Sequence, residues 1–431
     1  MTSATPRSVL HAGMVGVGMI FDETYWPFFL QAHRQGLYRR DTGPFDVCLT
    51  ALASRTGSRA AQVVKRALEA GMPAPLNLHG DQAVQHLSQM GLDAVCIATP
   101  DDRHFEAARL ALLAGKHVLI EKPSVLSLAE LDSLESLAHS KGVLARVVYH
   151  KLLDPDHKKL RTHVLDGNLV HVNNGYCSLL EPKSIATGQF AEWIHGRNPG
   201  TYVAVHYIKL IDFTFGHECK LARISATGQR GIVGPANAST WDSVQMQLVY
   251  RYPDGREAAF DIHTSWVTPD DFPGYVDQEV QFRFDNGIWI AHQRKRGVEM
   301  AIENRTPREL KNTPNHHYNG AFLEPWGERS QRGYGIEVLS RFFEEVAYVE
   351  YGGPPAQRDK RLQEMRALHY ADLGADRATV AAVQALEAIL KRHAAGHPGS
   401  VVFVDDPVGL TLYTLGQPPE VLYAERVHRD T

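Results

Sequence analysis

Two short stretches carry residue types at spacings suited to chemistry. In Ala114-Gly-Lys-His-Val-Leu-Ile-Glu-Lys122-Pro123 an apolar run, His117 to Ile120, ends abruptly in Glu121-Lys122-Pro123. The run is long enough for a buried parallel strand, and Pro123, lacking a backbone donor, forbids its simple continuation. A charged pair is therefore presented at a strand's C-terminal edge, where open α/β sheets hold ligands. Lys122 is the first candidate there for orienting a ligand or handling a proton; a surface ion pair in a loop is the competing reading. The second stretch is Gly16-Val-Gly18-Met19-Ile20-Phe21, after a strand-like run, Val9 to Val15, and before a helix expected from about Glu23 to Gln35. Glycines at the first two positions of a dinucleotide fingerprint let the backbone turn tightly and approach a pyrophosphate, which then meets the helix N-terminus. Phe21 stands where the third glycine belongs, so an ordinary turn is the alternative.

A sheet and its helices must present these residues. Asp46 to Ala53 reads as the next strand, after a polar, turn-rich insertion from Arg34 to Pro44. It ends in Ala53-Ser54-Arg55-Thr56, where a dinucleotide fold usually has an acid for the ribose diol. Ser54 and Arg55 suit a 2′-phosphate, which keeps NADP open beside NAD; the other reading is a surface Arg stacked near an adenine. Helices expected over Arg59 to Glu69 and around Gln82 to Met90 precede a strand, Asp93 to Ala98. That strand ends in Thr99-Pro100-Asp101-Asp102, where Asp can cap a helix from Arg103 to Leu113. His104, in its first turn, is either a packing or capping residue or a cofactor-side one. Ser127-Leu-Ala-Glu130 has capping-box spacing for a helix with Leu128, Leu131, Leu134 and Leu137 along one side. A strand from Val143 to Tyr149 closes a first domain over 1–150. Strands alternating with helices predict an α/β fold with a doubly wound parallel sheet.

At 431 residues the chain predicts more than one domain. Hydrophobic content of 44% and charged content of 22% are those of a globular chain, and a net charge of −4 without a strongly basic tract argues against nucleic acid or an anionic membrane as partner. Cys48, Cys96, Cys177 and Cys219 are scattered, as reduced core residues are, with no disulfide or zinc framework. The polar opening Met-Thr-Ser-Ala-Thr-Pro and the lack of any run of 18 apolar residues predict a cytoplasmic location.

Taken together, Gly16-Val-Gly18, Ala98-Thr-Pro100, His104, Ala114-Gly-Lys-His-Val and Glu121-Lys-Pro123 resemble the Gfo/Idh/MocA oxidoreductase family. The resemblance covers the first third of the chain. It implies a Rossmann domain followed by a C-terminal α+β domain with a large, mostly antiparallel open sheet that often forms the oligomer interface. It also implies NAD or NADP as cofactor, bound by Gly16, Gly18, Met19, Ile20, Ser54, Arg55, Thr99, Pro100, His104, Glu121 and Lys122. Lys122 would lie beside the nicotinamide and the substrate.

From Lys151 the alternation breaks, and 151–431 reads as the second domain. Asp156 to Asp166 predicts a helix with a basic face, and Val170 to Leu180 a strand. Glu181 to Asn198 is a long connection containing Trp193, His195 and Arg197, and Gly200 to Gly216 reads as one helix. The similar family segment carries an Asp, a His four residues later and a Gly ten beyond. His206 and Gly216 keep that spacing, while Tyr202 stands at the Asp and Lys209 where another acid is frequent. An i, i+4 pair shares a helix face, so Tyr202 and His206 would point the same way. The change removes the carboxylate that would orient a catalytic imidazole, which leaves Tyr202 to orient His206 or to meet the substrate itself. Val244 to Tyr252, Glu257 to Ser265, Glu279 to Phe284 and Gly287 to Arg294, split by Pro-Asp-Gly and Asp-Asn-Gly turns, predict a largely antiparallel sheet. His316 and His317 lack a third ligand at a recognisable spacing, so they line a substrate site rather than hold zinc. Helices are expected over Ile336 to Val346 and, as a closing helix, over 377–391, with strand-like pieces after Ser400.

The expectation that follows is hydride transfer from a secondary hydroxyl of a sugar or polyol to a nicotinamide, with Lys122, His206 and Tyr202 catalytic and Lys122, His150, Trp193, Arg197, Tyr202, His206, Lys209 and His317 touching substrate. Lys183, Arg197 and Lys209 would favour an acidic sugar. Two rivals stand beside it: a glycosidase that oxidises its sugar transiently and recycles bound NAD, and a silent dinucleotide-binding sensor. The expected partners are a small sugar or polyol and further copies of the chain, a dimer or tetramer formed through the C-terminal sheet; nucleic acid, membrane and metal are not expected.

Overall fold

The computed structural model describes residues 8–189, 191, 194–234, 239–270, 272, 276–293, 315, 317–405 and 409–424. They form two compact units. The first takes 1–125, 130–153 and 316–376 as far as described, and the second 126–129, 154–315 and 377–431. A single cut at residue 150 therefore misses a return: residues 316–376 come back to complete the first unit before the chain re-enters the second.

The first unit holds a seven-stranded sheet. β1 (Ser8–Val15), β2 (Leu37–Arg39), β3 (Gly43–Ser54), β4 (Leu76–His79), β5 (Ala94–Ile97), β6 (His117–Glu121) and β7 (Ala145–Val148) lie in the order β2-β3-β1-β5-β6-β7, with β4 also paired to β3. All ladders are parallel except β2 with β3. The insertion expected as turns thus contains a strand, because β3 starts early enough to fold β2 back against its own first residues. The order β4-β3-β1-β5-β6-β7 reverses direction between β1 and β5, the switch point where open α/β sheets bind ligands. Register aligns Val15 with both Ala53 and Ile97, and Ile97 with Ile120, so Gly16, Ser54, Ala98 and Glu121 leave the sheet at one edge.

The returning segment supplies a hairpin, β14 (Gly320–Leu323) with β15 (Arg329–Arg332), and helices Tyr334–Tyr351 and Arg358–Arg366. Phe342 and Phe343 are buried with Phe28 and Phe29, and the Phe28 and Phe343 rings stack at 5.3 Å. Burying side chains of this size contributes roughly 2 to 3 kcal/mol each, enough to make the return part of the same core. Arg146, 2% exposed, is met by Glu345 at 2.8 Å and by the Met365 carbonyl at 2.5 Å, so its charge is taken up on both sides by returned residues.

The second unit is built on a nine-stranded sheet. β8 (Val172–Pro182), β9 (Lys220–Gln229), β10 (Ser243–Arg251), β11 (Glu257–Thr268), β12 (Asp277–Phe284), β13 (Gly287–Ala291), β16 (Val401–Asp405), β17 (Gly409–Tyr413) and β18 (Glu420–Ala424) run β13-β12-β8-β11-β10-β9-β16-β17-β18. Only β8 with β11 is parallel. The helix Arg377–Ala394 packs on it through Val380, Val383, Leu386, Ile389 and Leu390, all buried, as its apolar spacing predicts. The helix Pro155–Leu165 departs from the expected solvated basic face, because His157 is buried with Leu160 and Val164. Cys96, Cys177 and Cys219 are buried and form no disulfide with one another. No described helix is long and apolar enough to cross a membrane.

Candidate functional site

In the first unit the chain turns at Gly16 under two constraints. Its φ is +91°, a conformation that L side chains resist, and a Cβ there would stand 2.4 Å from the Ala98 carbonyl oxygen. Gly16 therefore lets β1 pass tightly over the end of β5. Gly18 differs: a Cβ would meet no described atom within 4 Å. The open space over Gly18, at the switch-point edge, fits a backbone left bare for a ligand's close approach. Phe21, at the third fingerprint position, is fully buried at the start of a helical turn, Phe21–Tyr25, that runs into the helix Trp26–Gln35, so an aromatic ring takes up the packing where a glycine would have brought helix and sheet together.

Ser54 accepts the Gly57 N–H at 3.2 Å and so closes the turn after β3, while Arg55 is exposed beside it. Thr99 and Pro100 follow β5. Asp101 does not cap the helix as its position suggests: a 3-10 turn, Asp101–Arg103, intervenes, and the Asp101 carboxylate accepts from the Asp102 N–H instead. His104 is 1% exposed, with Nδ1 2.8 Å from the Pro123 carbonyl and Nε2 2.8 Å from the Thr99 carbonyl. Both ring nitrogens face backbone carbonyls, one in the turn after β5 and one in the turn after β6.

The Glu121-Lys122-Pro123-Ser124 turn is held at four points. The Tyr25 hydroxyl donates to Glu121 Oε1 at 3.2 Å, and the Lys122 N–H lies 3.4 Å from Glu121 Oε2. His104 meets the Pro123 carbonyl. Ser124 donates to Asp376 Oδ2 at 2.5 Å, and the Tyr149 hydroxyl donates to Asp376 Oδ1 at 2.7 Å. Burial pushes the Glu121 carboxyl up to about 7, against the opposing pull of Lys122 and the Tyr25 hydroxyl. His150, 6% exposed, is pushed down to about 3 by burial first and then by the charges of Lys122 and Lys151. Its ring meets that of Tyr318 edge-on at 5.4 Å, and Tyr318 bonds Thr24 at 2.9 Å. Lys122 thus sits among a protonatable carboxyl, a neutral imidazole and buried phenols. His317 is exposed, and its backbone carbonyl accepts from Tyr334. His316 lies outside the described residues.

In the second unit the expected single helix is broken. Asn198 caps a short helix, Pro199–Tyr202, by accepting the Thr201 N–H at 2.6 Å. Val203 and Ala204 form a turn in which the His206 N–H bonds Val203 and not Tyr202, and the helix Val205–Phe215 follows. The shared face expected for Tyr202 and His206 assumed one unbroken α-helix; here a turn at Val203 and Ala204, both still right-handed helical in φ and ψ, lies between them. His206 is 9% and Lys209 1% exposed, while Tyr202 is half-buried. The Tyr202 ring lies 6.4 Å from that of Trp266, whose indole N–H donates to Glu181 at 2.8 Å. Glu181 is 8% exposed and sits at a register shift where β11 carries an extra residue against β8. Such bulges re-aim side chains. Arg197 is half-buried and held by backbone bonds to Ile194 and Trp241; His195 and Lys183 are exposed. Trp193 lies outside the described residues.

Sequence reasoning missed Tyr25, Ser124, Tyr149, Tyr318 and Asp376 in the first unit and Glu181 and Trp266 in the second. No local pattern marks them, since Ser124 and Asp376 are 252 positions apart.

Residues 10–149 match the model of an oxidoreductase family, Gfo/Idh/MocA, described as an NAD-binding Rossmann fold. Among similar proteins is scyllo-inositol 2-dehydrogenase (NADP(+)) IolW of Bacillus subtilis, 32% identical over 82 residues, which are 19% of this chain and 23% of that one. A glycosyl hydrolase family 109 protein of Streptomyces coelicolor is 26% identical over 203 residues, 43% of this chain and 42% of that protein. The first relatives are matched over only about a quarter of their length. The fold is like that of an inositol dehydrogenase homolog from Azotobacter vinelandii solved with NADH and myo-inositol, with a TM-score of 0.60 and 17% identity over 92% of this chain and 98% of that one. The turn at Gly16, the bare backbone at Gly18 and the Glu121-Lys122-Pro123 edge all fall inside residues 10–149, the span that matches the Gfo/Idh/MocA oxidoreductase model of an NAD-binding Rossmann fold.

Proposed function

We propose that the protein oxidises a secondary hydroxyl of a sugar or polyol of the inositol type. The observation that carries this reading is the built turn at Lys122, a cation fixed at the ligand-binding edge of an NAD-binding fold by Tyr25, His104 and Asp376 together. Bound NAD or NADP supplies the hydride acceptor. The bare backbone at Gly18 admits the pyrophosphate, and the exposed Arg55, with no acid at the end of β3, suits a 2′-phosphate. Lys122 orients the reacting hydroxyl and stabilises its oxygen as the proton leaves. His206, Tyr202 and Lys209 are proposed separately as the substrate-facing residues of the second unit. The similarity to an inositol dehydrogenase of Bacillus subtilis supports the substrate class. A second copy of the chain is proposed to pair on the sheet face where Gln281, Tyr176, Asp261 and Gln247 lie in one register row, half-buried and polar.

The test is turnover of myo-inositol, scyllo-inositol, hexoses and hexuronates with NAD+ and NADP+. A Lys122→Met variant is expected to lose kcat by about 100-fold or more while keeping cofactor affinity. Equal turnover by the variant removes Lys122 from the chemistry. A glycosidase that oxidises its sugar transiently is the second reading, favoured by the 203-residue match to a family 109 protein. Cleavage of a nitrophenyl glycoside without net cofactor reduction would select it.

A further inference from the structure

The turn that carries Lys122 and the turn that follows β5 are far apart in sequence, and one ring joins them. His104 is 1% exposed, and its two nitrogens each lie 2.8 Å from a carbonyl oxygen, Pro123 on one side and Thr99 on the other. A carbonyl only accepts, so each contact needs an N–H on the ring, and a neutral imidazole has one. Donating to both at once takes the imidazolium, whereas the neutral ring donates to one carbonyl at a time, by one tautomer or the other. Burial is the largest influence on the ring and lowers its pKa, with Lys122 acting the same way; the two carbonyls and Asp101, 5% exposed, work against them without reversing the shift. A buried polar ring aimed at backbone carbonyls on both sides is costly unless those contacts are made, and an apolar side chain of similar size would serve for packing alone.

We propose that His104 is a positioning residue with two separable arms: Nδ1 fixes the Pro123 carbonyl and through it the placement of Lys122, and Nε2 fixes the Thr99 carbonyl and through it the cofactor-side turn. The proposal rests on the reading of Lys122 as catalytic only for its kinetic consequence; the structural consequence stands without it. A misplacement of about 1 Å at a reacting group can lower turnover about 100-fold. The Nδ1 arm therefore governs kcat, and the Nε2 arm governs the affinity for dinucleotide.

The two arms can be separated by substitution. The side-chain nitrogen of Asn falls at the place of Nδ1, and that of Gln at the place of Nε2. In His104→Gln the Pro123 contact is lost, so amide hydrogen exchange of the peptide holding 121–124 should accelerate at least 10-fold, and kcat on whichever probe the wild type turns over should fall about 100-fold. In His104→Asn that peptide should stay protected, the fall in kcat should be smaller, and NADH should bind more weakly than to His104→Gln. Melting temperatures of both variants control for general loosening. Equal exchange and equal kinetics in the two variants, in step with their melting temperatures, would overturn the proposal and make the ring a space filler. If the wild type turns over no probe while the exchange difference appears, the clamp stands and the assigned reaction falls.

Discussion

Ser124 donates a 2.5 Å hydrogen bond to Asp376, and Tyr149 donates to the other oxygen of the same carboxylate at 2.7 Å. Asp376 is fully buried and belongs to the segment that returns to the first unit, so the turn bearing Lys122 is tied down by a residue from the far end of the chain. Hydrogen bonds to a buried charged acceptor are worth roughly 1.5 to 3 kcal/mol each. Ser124→Ala is expected to lower stability by about that amount and to lower kcat more than it changes the KM for cofactor. A urea midpoint equal to the wild type's would show that the contact holds nothing.

Gly16 and Gly18 make opposite predictions for the same substitution. At Gly16 an added methyl would collide with the Ala98 carbonyl at 2.4 Å and sit at a φ of +91°, so Gly16→Ala should cost several kcal/mol, on the order of 3, in folding. At Gly18 the methyl meets open space, so Gly18→Ala should fold with near-native stability and bind NADH at least 10-fold more weakly. Fluorescence titration beside thermal melts distinguishes the two. Normal NADH binding by Gly18→Ala would mean that no ligand approaches there.

Glu121 gives a pH dependence with a definite sign. Burial raises its folded pKa to about 7, above an unfolded value of roughly 4.3, so its stabilising contribution is complete below pH 4.3 and is lost as pH rises through 7. At pH 8 the buried charge costs on the order of 3 kcal/mol. Gln mimics the protonated acid, so Glu121→Gln should melt higher than the wild type at pH 8, and the difference should shrink between pH 7 and 5. Parallel melting curves across that range would place the carboxylate's charge elsewhere.

Trp266 donates its indole N–H to the buried Glu181. Trp266→Phe keeps most of the ring and removes that donor, so a loss of about 1 to 3 kcal/mol is expected from the carboxylate left short of a partner. Glu181→Gln should recover part of it in the double variant. A Trp266→Phe protein as stable as the parent would show that the pair is incidental.

The part of the site made of near neighbours in sequence was legible from residue types alone. Gly16, Gly18, Thr99, Pro100 and Glu121-Lys122-Pro123 lie at strand ends whose apolar runs are unmistakable, and the parallel order follows from alternation with helices. The antiparallel sheet of the second unit was equally plain from its β-branched runs and turns, apart from β9, Lys220–Gln229, which carries few apolar residues in succession. What sequence could not decide depends on which distant residues meet. The i, i+4 spacing of Tyr202 and His206 says nothing about a break at Val203 and Ala204, because the backbone hydrogen bond that would join them competes with one to Val203. A histidine at the start of a helix does not announce that both its nitrogens will find carbonyls. The return of 316–376 to the first unit was hidden for the same reason: burial of Phe342 and Phe343 against Phe28 and Phe29 is a property of packing, to which local periodicity is blind. Sequence by itself determined the nucleotide-binding fold and the lysine at its edge; tertiary structure alone decided what holds that lysine, because hydrogen bonds and core contacts between distant segments form only once the chain has closed on itself.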